Sequence, residues 1–275
     1  MNYQFKLIGY PVKHSLSPWI HEQFLKDTDL TGTYELNEIQ DLSEDILTLK
    51  EANLNGFNIT VPYKEDMMNY LDEVDPIAKQ IGAVNTVLVK DNKWIGYNTD
   101  GIGFVRALQD AYEDMVSLED KKIVILGAGG AAKGIYAAFT KENPKQIVIA
   151  NRTIEKAQDI IHSNRRNDIA SHLNDVISHL EEADIIVQTS SVGMTPNEGE
   201  SIVQLPQLKE DVLVSDIVYQ PIETHFLSQA KKQGVRIHYG HTMLLYQAQY
   251  AFEIWTGKRP NAKPLIEKLE KILKG

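Results

Sequence analysis

Cysteine is absent from this sequence of 275 residues. Its absence excludes disulfides, thiolate metal ligands and a cysteine nucleophile. Long apolar runs are missing as well, since no stretch approaches the about 20 residues that a membrane-spanning helix needs. Residues 1–4 lead directly into a strand-like segment, without the basic and apolar regions of a signal peptide. We therefore expect a cytoplasmic protein with no membrane partner.

Positive charge is scarce relative to negative charge. The chain has 28 lysines and arginines against 38 aspartates and glutamates, which gives a formal net charge of −10. Non-specific binding of nucleic acid needs a basic face, so nucleic acid is not an expected partner. An anionic ligand would have to be held by local groups, because the overall field does not attract it.

Recognisable metal-ligand spacings are lacking too. Among the 8 histidines, His238 and His241 lie close in sequence, and His172 and His179 could share a helical face. Neither pair has a third ligand at a suitable spacing. We expect scattered surface histidines and no bound metal.

What the sequence does contain is an alternation of apolar, strand-like runs and helical patterns, which predicts an α/β class. Its length suits two domains, and 43% hydrophobic with 24% charged residues is ordinary for a globular protein. Asp91 and Asn92 are typical of a hairpin turn, and Ser43 is a candidate N-cap. Strands are predicted near 5–9, 33–36, 57–61, 83–89, 94–97, 123–126, 146–150, 184–189, 212–218 and 235–238, and helices near 18–25, 43–50, 103–110, 131–141, 175–182, 224–232 and 242–256, with a charged helix after them.

A strand, a glycine-rich turn, a helix and a second strand follow one another between residues 121 and 153. Gly127 permits the tight turn, Gly129 lets the backbone approach a pyrophosphate, and Ala132 is small enough for close packing of helix and strand. The free N–H groups of the helix N-terminus suit that anion. We predict a dinucleotide-binding unit, the alternative being a glycine turn that binds nothing.

The end of the second strand favours NADP over NAD. An NAD site usually has an acidic residue there for the ribose 2′-hydroxyl. This chain has Arg152, with Lys156 close behind, and a guanidinium can make paired hydrogen bonds to a 2′-phosphate. The alternative is that Arg152 is a solvated loop cation, and Glu155 weakens the positive field.

Several polar residues fall at or just past predicted strand ends in the first part of the chain, where open α/β sheets build ligand sites. They are Asn58, Thr60, Lys64, Asn85 and Asp100. Spacing alone leaves simpler roles open. Lys64 could be a surface cation on a first helical turn, and Asp100 a helix N-cap. Ser15 and Ser17 could bind a ligand's carboxylate, or Ser17 could cap the helix that begins at Pro18, and these two interpretations are equally supported.

Eight segments, in order along nearly the whole chain, resemble the shikimate dehydrogenase family. They are PVKHSLSP at 11–18, GFNITVPYK at 56–64, GAVNT at 82–86, GYNTD at 96–100, GAGGA at 127–131, NRT at 151–153, DIVYQP at 216–221 and GHTMLLYQA at 240–248. The resemblance implies the reversible reduction of 3-dehydroshikimate to shikimate with NADPH, a step in chorismate and aromatic amino acid biosynthesis. It also implies an α/β substrate domain at 1–101, completed by 241–275, and a Rossmann-type, doubly wound NADP-binding domain at 102–240.

The resemblance further implies roles for individual residues. Lys64 is the expected acid/base, paired with Asp100. The expected substrate-binding residues are Ser15, Ser17, Asn58, Thr60, Asn85, Asp100, Tyr219 and Gln247. The expected cofactor-binding residues are Gly127, Ala128, Gly129, Gly130, Ala131, Asn151, Arg152, Thr153, Lys156, Ile217 and Gly240. Lys156 stands where some relatives have arginine, which would soften the preference for the 2′-phosphate.

These residue types suit the chemistry. Hydride delivery to a ketone builds negative charge on its oxygen, and a positioned ammonium such as Lys64 can stabilise that charge and donate a proton. Two other functions stay open, a quinate/shikimate dehydrogenase using NAD and a non-catalytic sensor of NADP or shikimate. The presence of both Lys64 and Asp100 argues against the sensor. We expect a small-molecule substrate and a monomer or weak homodimer.

Overall fold

The computed structural model describes residues 2–162 and 167–275. The chain forms two compact units. Unit 1 comprises Met1–Gly103 and Leu245–Leu265, and unit 2 comprises Phe104–Leu244 and Ile266–Gly275. The bounds fall inside three helices, α4 (Asp100–Ala111), α9 (Gly240–Thr256) and α10 (Lys263–Lys274). The last ten residues belong to unit 2, whereas the prediction from the sequence is that 241–275 complete the substrate domain.

Unit 1 contains a mixed sheet in the order β2-β1-β3-β5-β6-β4. Its strands are β1 (Asn2–Gly9), β2 (Thr31–Glu38), β3 (Gly56–Ile59), β4 (Glu73–Val74), β5 (Thr86–Lys90) and β6 (Lys93–Tyr97). β1 is parallel to β2 and β3, whereas β5 is antiparallel to β3 and β6. The end of β3, the start of β5 and the end of β6 therefore meet at one edge of the sheet.

Three helices connect strands of this sheet: α1 (Ser17–Asp27), α2 (Leu42–Glu51) and α3 (Pro76–Ile81). The predicted hairpin at Asp91 and Asn92 is confirmed, since both residues have positive φ, 51° and 60°, between β5 and β6. One predicted cap is wrong: α2 begins earlier, and Asp41 accepts from the backbone N–H of Ser43 at 2.8 Å.

Unit 2 contains a sheet of six parallel strands in the order β12-β11-β10-β7-β8-β9. Its strands are β7 (Lys122–Leu126), β8 (Gln146–Asn151), β9 (Ile169–His172), β10 (Ile185–Gln188), β11 (Leu213–Asp216) and β12 (Arg236–His238). Its other helices are α5 (Gly130–Lys141), α6 (Ile154–His162), α7 (Ile177–Glu182) and α8 (His225–Lys232). Counted from β7, this is the 3-2-1-4-5-6 order of a Rossmann fold, so the predicted α/β class and doubly wound sheet are confirmed.

Each sheet is held by its own core. In unit 2, apolar side chains cover both faces, with Ile123 and Ile125 in one cluster and Val124 and Leu126 in the other. This alternation is what a buried parallel strand requires. In unit 1, Ile8, Phe57 and Val87 lie in a core on one side of the sheet.

Some predictions about exposure and structure are wrong. Three of the histidines expected at the surface, His21, His238 and His241, are at most 3% exposed. Burial lowers the pKa of His21 and of His238 to about 3, so both stay neutral. Strands β4 and β9 and helices α3 and α6 had not been predicted. Within the described ranges, no helix is long and apolar enough to cross a membrane.

Candidate active site

The centre of the site in unit 1 is an ion pair between Lys64 and Asp100. The Nζ atom of Lys64 lies 2.5 Å from Oδ2 of Asp100, and the two side chains are 18% and 6% exposed. Lys64 occupies the turn after β3, and Asp100 is the first residue of α4. Lys64 is therefore not the exposed cation of a helix, and the carboxylate of Asp100 contacts side chains from other elements. Both simpler interpretations of these residues are wrong.

Asn85 orients the carboxylate of this pair. Its Oδ1 accepts from the backbone N–H of Thr99 and from Oγ1 of Thr86, each at 2.9 Å. Its Nδ2 is thereby turned towards Oδ1 of Asp100, to which it donates at 2.7 Å. The Asn85 amide is thus fixed by three partners: Thr86, Thr99 and Asp100. If the amide turned over, buried donors and acceptors would lose their partners, so Asn85 holds the carboxylate of Asp100 in one orientation.

Asn58 lies behind Asn85 and is 5% exposed. Its Nδ2 donates to the carbonyl of Asn85 and to Oγ1 of Thr86, both at 3.0 Å. Its Oδ1 accepts from the hydroxyl of Tyr34 at 2.8 Å. Both ends of this amide are engaged by the protein, so Asn58 supports its neighbours in the predicted substrate-binding set.

Ser15 and Ser17 form a second small cluster in unit 1. The hydroxyl of Ser15 donates to that of Ser17 at 3.1 Å and accepts from the Ser17 N–H at 3.2 Å. Helix α1 begins at Ser17 itself, after Leu16, so the alternative of an N-cap at Ser17 is wrong. The hydroxyl pair gives two donors close together without net charge, which suits a carboxylate ligand.

Gln247 reaches this site from α9. Its Oε1 accepts from Nδ2 of Asn85 at 3.4 Å. A Cβ atom at Gly103 would lie 2.6 Å from the backbone N of Gln247, so only glycine at this point lets α4 and α9 approach so closely. Thr60 follows β3, half-buried, with its N–H donating to Ile8 at 2.9 Å.

In unit 2 the glycine-rich turn lies at the carboxyl end of β7, next to β10, where the order of strands reverses. Gly127 has φ of 113°, and a Cβ there would lie 2.7 Å from Oγ1 of Thr189. Gly129 is exposed, at the N-cap of α5, and a Cβ there would meet no atom within 4 Å. The protein itself thus requires glycine at 127, whereas the open space at 129 and the N–H groups of Gly130 and Ala131 fit an approaching pyrophosphate.

The turn after β8 presents its cations to solvent. Nδ2 of Asn151 donates to the carbonyl of Thr153 at 2.9 Å, which shapes the turn. Arg152 and Lys156 are both exposed. Gly130 and Ala131 are the first two residues of α5, and Ala128 precedes its N-cap, Gly129. These groups fit the phosphates of a dinucleotide. The backbone N–H groups at the start of α5 suit its pyrophosphate, and the cations Arg152 and Lys156 after β8 suit a 2′-phosphate.

Two more residues of the predicted cofactor set are adjacent. A Cβ at Gly240 would lie 2.4 Å from the carbonyl oxygen of Ile217. Ile217 and the half-buried Tyr219 follow β11, and the Ile217 N–H donates to the carbonyl of Gln188 at 3.1 Å. The structure therefore brings Ile217 and Gly240 together.

A buried carboxylate fixes the turn that carries Ile217. Asp216 accepts from the Val218 N–H at 2.9 Å, from Oγ1 of Thr224 at 2.7 Å and from Nε2 of Gln188 at 3.2 Å. Burial raises the pKa of Asp216 to about 7, and these three donors oppose that rise. Gln188 also donates to the carbonyl of Val192, so the turns after β10 and β11 are tied together.

The supporting residues Tyr34, Thr86, Gln188 and Asp216 are not among the site residues predicted from the sequence. Thr86 directly follows Asn85 and Asp216 opens a recognised segment, so position offered a signal for those two. Tyr34 and Gln188 looked like ordinary strand residues. Across the described part of the chain, no group of three or more histidine, aspartate or glutamate side chains converges to hold a metal.

Comparison with known proteins gives consistent matches along the chain. The family models match as the shikimate dehydrogenase substrate-binding domain at residues 7–87, as shikimate/quinate 5-dehydrogenase at 109–225 and as the shikimate 5′-dehydrogenase C-terminal domain at 240–270. A shikimate dehydrogenase (NADP⁺) of Oceanobacillus iheyensis is 52% identical over the full length of both chains.

Two solved structures are similar throughout. A shikimate dehydrogenase in complex with NADP⁺ is 39% identical, with a TM-score of 0.89 over 99% of this chain and 96% of the other. The Thermus thermophilus shikimate 5-dehydrogenase in complex with NADP(H) and shikimate is 32% identical, with a TM-score of 0.86 over 98% and 99%.

Proposed function

Because this chain belongs to the shikimate dehydrogenase family, we propose that it catalyses the reversible, NADPH-dependent reduction of 3-dehydroshikimate to shikimate. It is then an oxidoreductase acting on a CH–OH group, in the synthesis of chorismate and aromatic amino acids. The observation that carries this proposal is the ion pair of Lys64 and Asp100, 2.5 Å apart and held by Asn85 at one edge of the sheet. A relative that had lost catalysis would not need to retain that arrangement.

Lys64 is the proposed acid/base. In the direction of reduction, its ammonium stabilises the negative charge that develops on the ketone oxygen and then donates a proton. In the direction of oxidation, the neutral amine accepts the alcohol proton. Asp100 holds Lys64 in place through their ion pair, while Asn85 keeps the carboxylate from rotating away.

The remaining polar groups of unit 1 would bind the substrate. Ser15 and Ser17 would donate to the carboxylate, since their hydroxyls already lie 3.1 Å apart. Thr60, Asn85, Asp100 and Gln247 would bind ring hydroxyls, and Tyr219 stays a further predicted substrate contact. Asn58, whose amide is engaged at both ends, would act by holding Asn85 and Thr86.

NADPH, when bound, supplies the hydride. Unit 2 would hold its pyrophosphate at residues 127–131, on the N-terminus of α5, and its adenosine 2′-phosphate near Arg152 and Lys156. Asn151 and Thr153 shape that turn, and Ile217 and Gly240 would contact the other end of the cofactor. Unit 1 is thus the proposed substrate domain and unit 2 the NADP domain. The cytoplasmic location and the monomeric or weakly dimeric state stay predictions.

The test is an initial-rate assay of the purified protein with shikimate or quinate, each with NADP⁺ or NAD⁺. We expect rapid NADP⁺ reduction with shikimate and far slower reaction with the other three pairs. Rapid turnover of quinate with NAD⁺ would replace the proposal by the dual-specificity enzyme, which the shikimate/quinate family match makes the pertinent rival. No turnover with any pair, with ligand binding retained, would indicate a sensor.

A further inference from the structure

Tyr34 lies in β2 and supports the amide network of the unit 1 site through its hydroxyl, which also lies near the serine pair. The side chain is 5% exposed, and its hydroxyl donates to Oδ1 of Asn58 at 2.8 Å. Burial raises the pKa of Tyr34 well above its usual value, and the nearby hydroxyl of Ser17 opposes that rise. One buried phenol thus lies beside the serine cluster and is hydrogen-bonded to the amide network.

The amide network leads from Tyr34 to the acid/base pair without a break. Asn58 donates to Thr86, Thr86 donates to Oδ1 of Asn85, and Asn85 donates to Asp100, which binds Lys64. Each of these side chains is buried or nearly so. An amide has its donor at one end and its acceptor at the other. The hydrogen bond that Tyr34 donates to Asn58 therefore fixes which way the Asn58 amide faces, and this in turn fixes the hydrogen bonds of Thr86 and Asn85.

The ring of Tyr34 has little freedom to move. The imidazole of His21 stacks on it with centroids 4.3 Å apart and an interplanar angle of 4°, and the indole of Trp255 lies 6.3 Å away. His21 is one helical turn after Ser17 on α1, so the same helix carries the serine and the side chain that fixes the ring.

We propose that Tyr34 is a positioning residue that fixes the serine pair and the Lys64–Asp100 pair relative to each other. The inference rests on the proposed function and extends it. Since the two pairs would bind opposite ends of one substrate, their spacing decides whether the reacting carbon lies beside Lys64. A misplacement of about 1 Å can cost about a hundredfold in rate.

The experiment compares Tyr34→Phe with Tyr63→Phe. Tyr63 is a matched control in the same unit: it is 7% exposed, and its hydroxyl donates to a backbone carbonyl, that of Ile39, at 2.9 Å. Both variants lose one buried hydrogen bond. We expect similar losses of melting temperature, but only Tyr34→Phe should reduce kcat/KM for shikimate, by about ten- to a hundredfold, with the KM for NADP⁺ unchanged.

A double-mutant cycle with Thr86→Val tests the path. Thr86→Val alone should lower kcat and leave the KM for shikimate nearly unchanged, whereas Tyr34→Phe should change both parameters because its hydroxyl also lies near that of Ser17. The combined loss in kcat should be smaller than the product of the single losses, since both act through Asn85.

Three results would each overturn the inference: equal kinetics for Tyr34→Phe and Tyr63→Phe, independent effects of Tyr34→Phe and Thr86→Val, or wild-type kinetics in a Tyr34→Phe variant that is folded by its melting curve. None of them would affect the proposed function, which fails separately if the wild-type protein does not oxidise shikimate with NADP⁺.

Discussion

The two units build their sites in different ways. In unit 1, side chains hold other side chains: Lys64 is bound by Asp100, Asp100 by Asn85, and Asn85 by buried threonines. In unit 2, the predicted ligand groups are backbone N–H groups of a glycine turn and two exposed cations. Replacing one member of a buried side-chain network disturbs the geometry of the others. A site built from backbone N–H groups is disturbed only by a substitution that alters the backbone conformation.

The difference follows from what each ligand requires. A proton must be delivered to one atom, so the donor needs a fixed position and a dry environment. A nucleotide phosphate is satisfied by several N–H groups and by long-range positive charge, and it tolerates solvent. We therefore expect the effects of substitution to be large and specific in unit 1, and smaller and dependent on salt at the cations of unit 2.

The largest expected effect is that of Lys64→Ala. Loss of the proton donor should lower kcat by about 10² to 10⁴, while shikimate binding, measured by calorimetry, should change little. Lys93→Ala is the control, because Lys93 also pairs with a carboxylate of unit 1, Glu73 at 2.7 Å, but with both side chains more than half exposed. Near wild-type turnover in Lys64→Ala would show that Lys64 is not the acid/base. It would also contradict the expectation that substitutions in unit 1 have larger effects than those in unit 2.

A second prediction concerns Asp216, the exception in unit 2, because it is a buried side chain. Its pKa is about 7 in the folded protein, against 3.8 for an aspartate exposed to water. The folded state therefore binds the proton more tightly, and this contribution to stability is full below pH 4 and is lost as the pH rises to about 7. The loss corresponds to about 4 kcal/mol in the free energy of unfolding.

Urea unfolding of the wild type and of Asp216→Asn between pH 4.5 and 8 measures this. The stability of the wild type relative to the variant should fall as the pH rises. Asp114→Asn is the control: a hydrogen bond from Arg236 lowers the pKa of Asp114, so this carboxylate is ionised in the folded and unfolded states throughout the range, and the variant's stability relative to the wild type should not change with pH. Parallel stability curves for the wild type and Asp216→Asn would show that Asp216 does not titrate in this range.

A third prediction tests the backbone site. Gly127→Ala should raise the KM for NADP⁺ about tenfold or more, since the residue needs positive φ and its Cβ would crowd Thr189. Gly234→Ala is the matched control: its φ is also positive, at 77°, but a Cβ there meets nothing within 4 Å. It should lose stability without a change in KM. Equal KM values for both variants would mean that the glycine turn does not bind the cofactor.

The smallest expected effect is at the exposed cations. Arg152→Ala should raise the KM for NADP⁺ by about tenfold and leave that for NAD⁺ unchanged, and the difference should shrink with added salt. Lys145→Ala serves as control, since Lys145 is exposed immediately before β8, whereas Arg152 immediately follows that strand. Equal changes for the two cofactors would place recognition of the 2′-phosphate elsewhere.

The sequence was most informative where one short segment contains its own signal. The βαβ unit around Gly127 was predicted because strand, glycine turn and helix are contiguous, and the structure has strand β7 and helix α5 within a residue or so of the predicted bounds. The hairpin at Asp91 and Asn92 was predicted for the same reason. The fold class needed only the alternation of such segments.

It was least informative where the relevant partner is distant in sequence. The bond between Lys64 and Asp100 spans 36 residues, and local pattern made them a surface cation and a helix cap. Only the family resemblance paired them. Tyr34 gave no signal, because one buried tyrosine in a strand is ordinary. The error at Ser43 was of another kind, since Asp41 is an equally good cap two residues earlier.

The discontinuity of unit 1 has a consequence for the protein's synthesis. Trp255 donates to the carbonyl of Val87 at 2.9 Å and stacks on Phe5 with centroids 4.5 Å apart, so the sheet made first is closed by a helix made late. A ribosome adding about 5–20 residues per second needs roughly 8–30 s to travel from residue 103 to residue 255. For that interval the nascent chain carries a sheet face that α1 covers only in part, and exposed apolar surface of this kind is what chaperones bind.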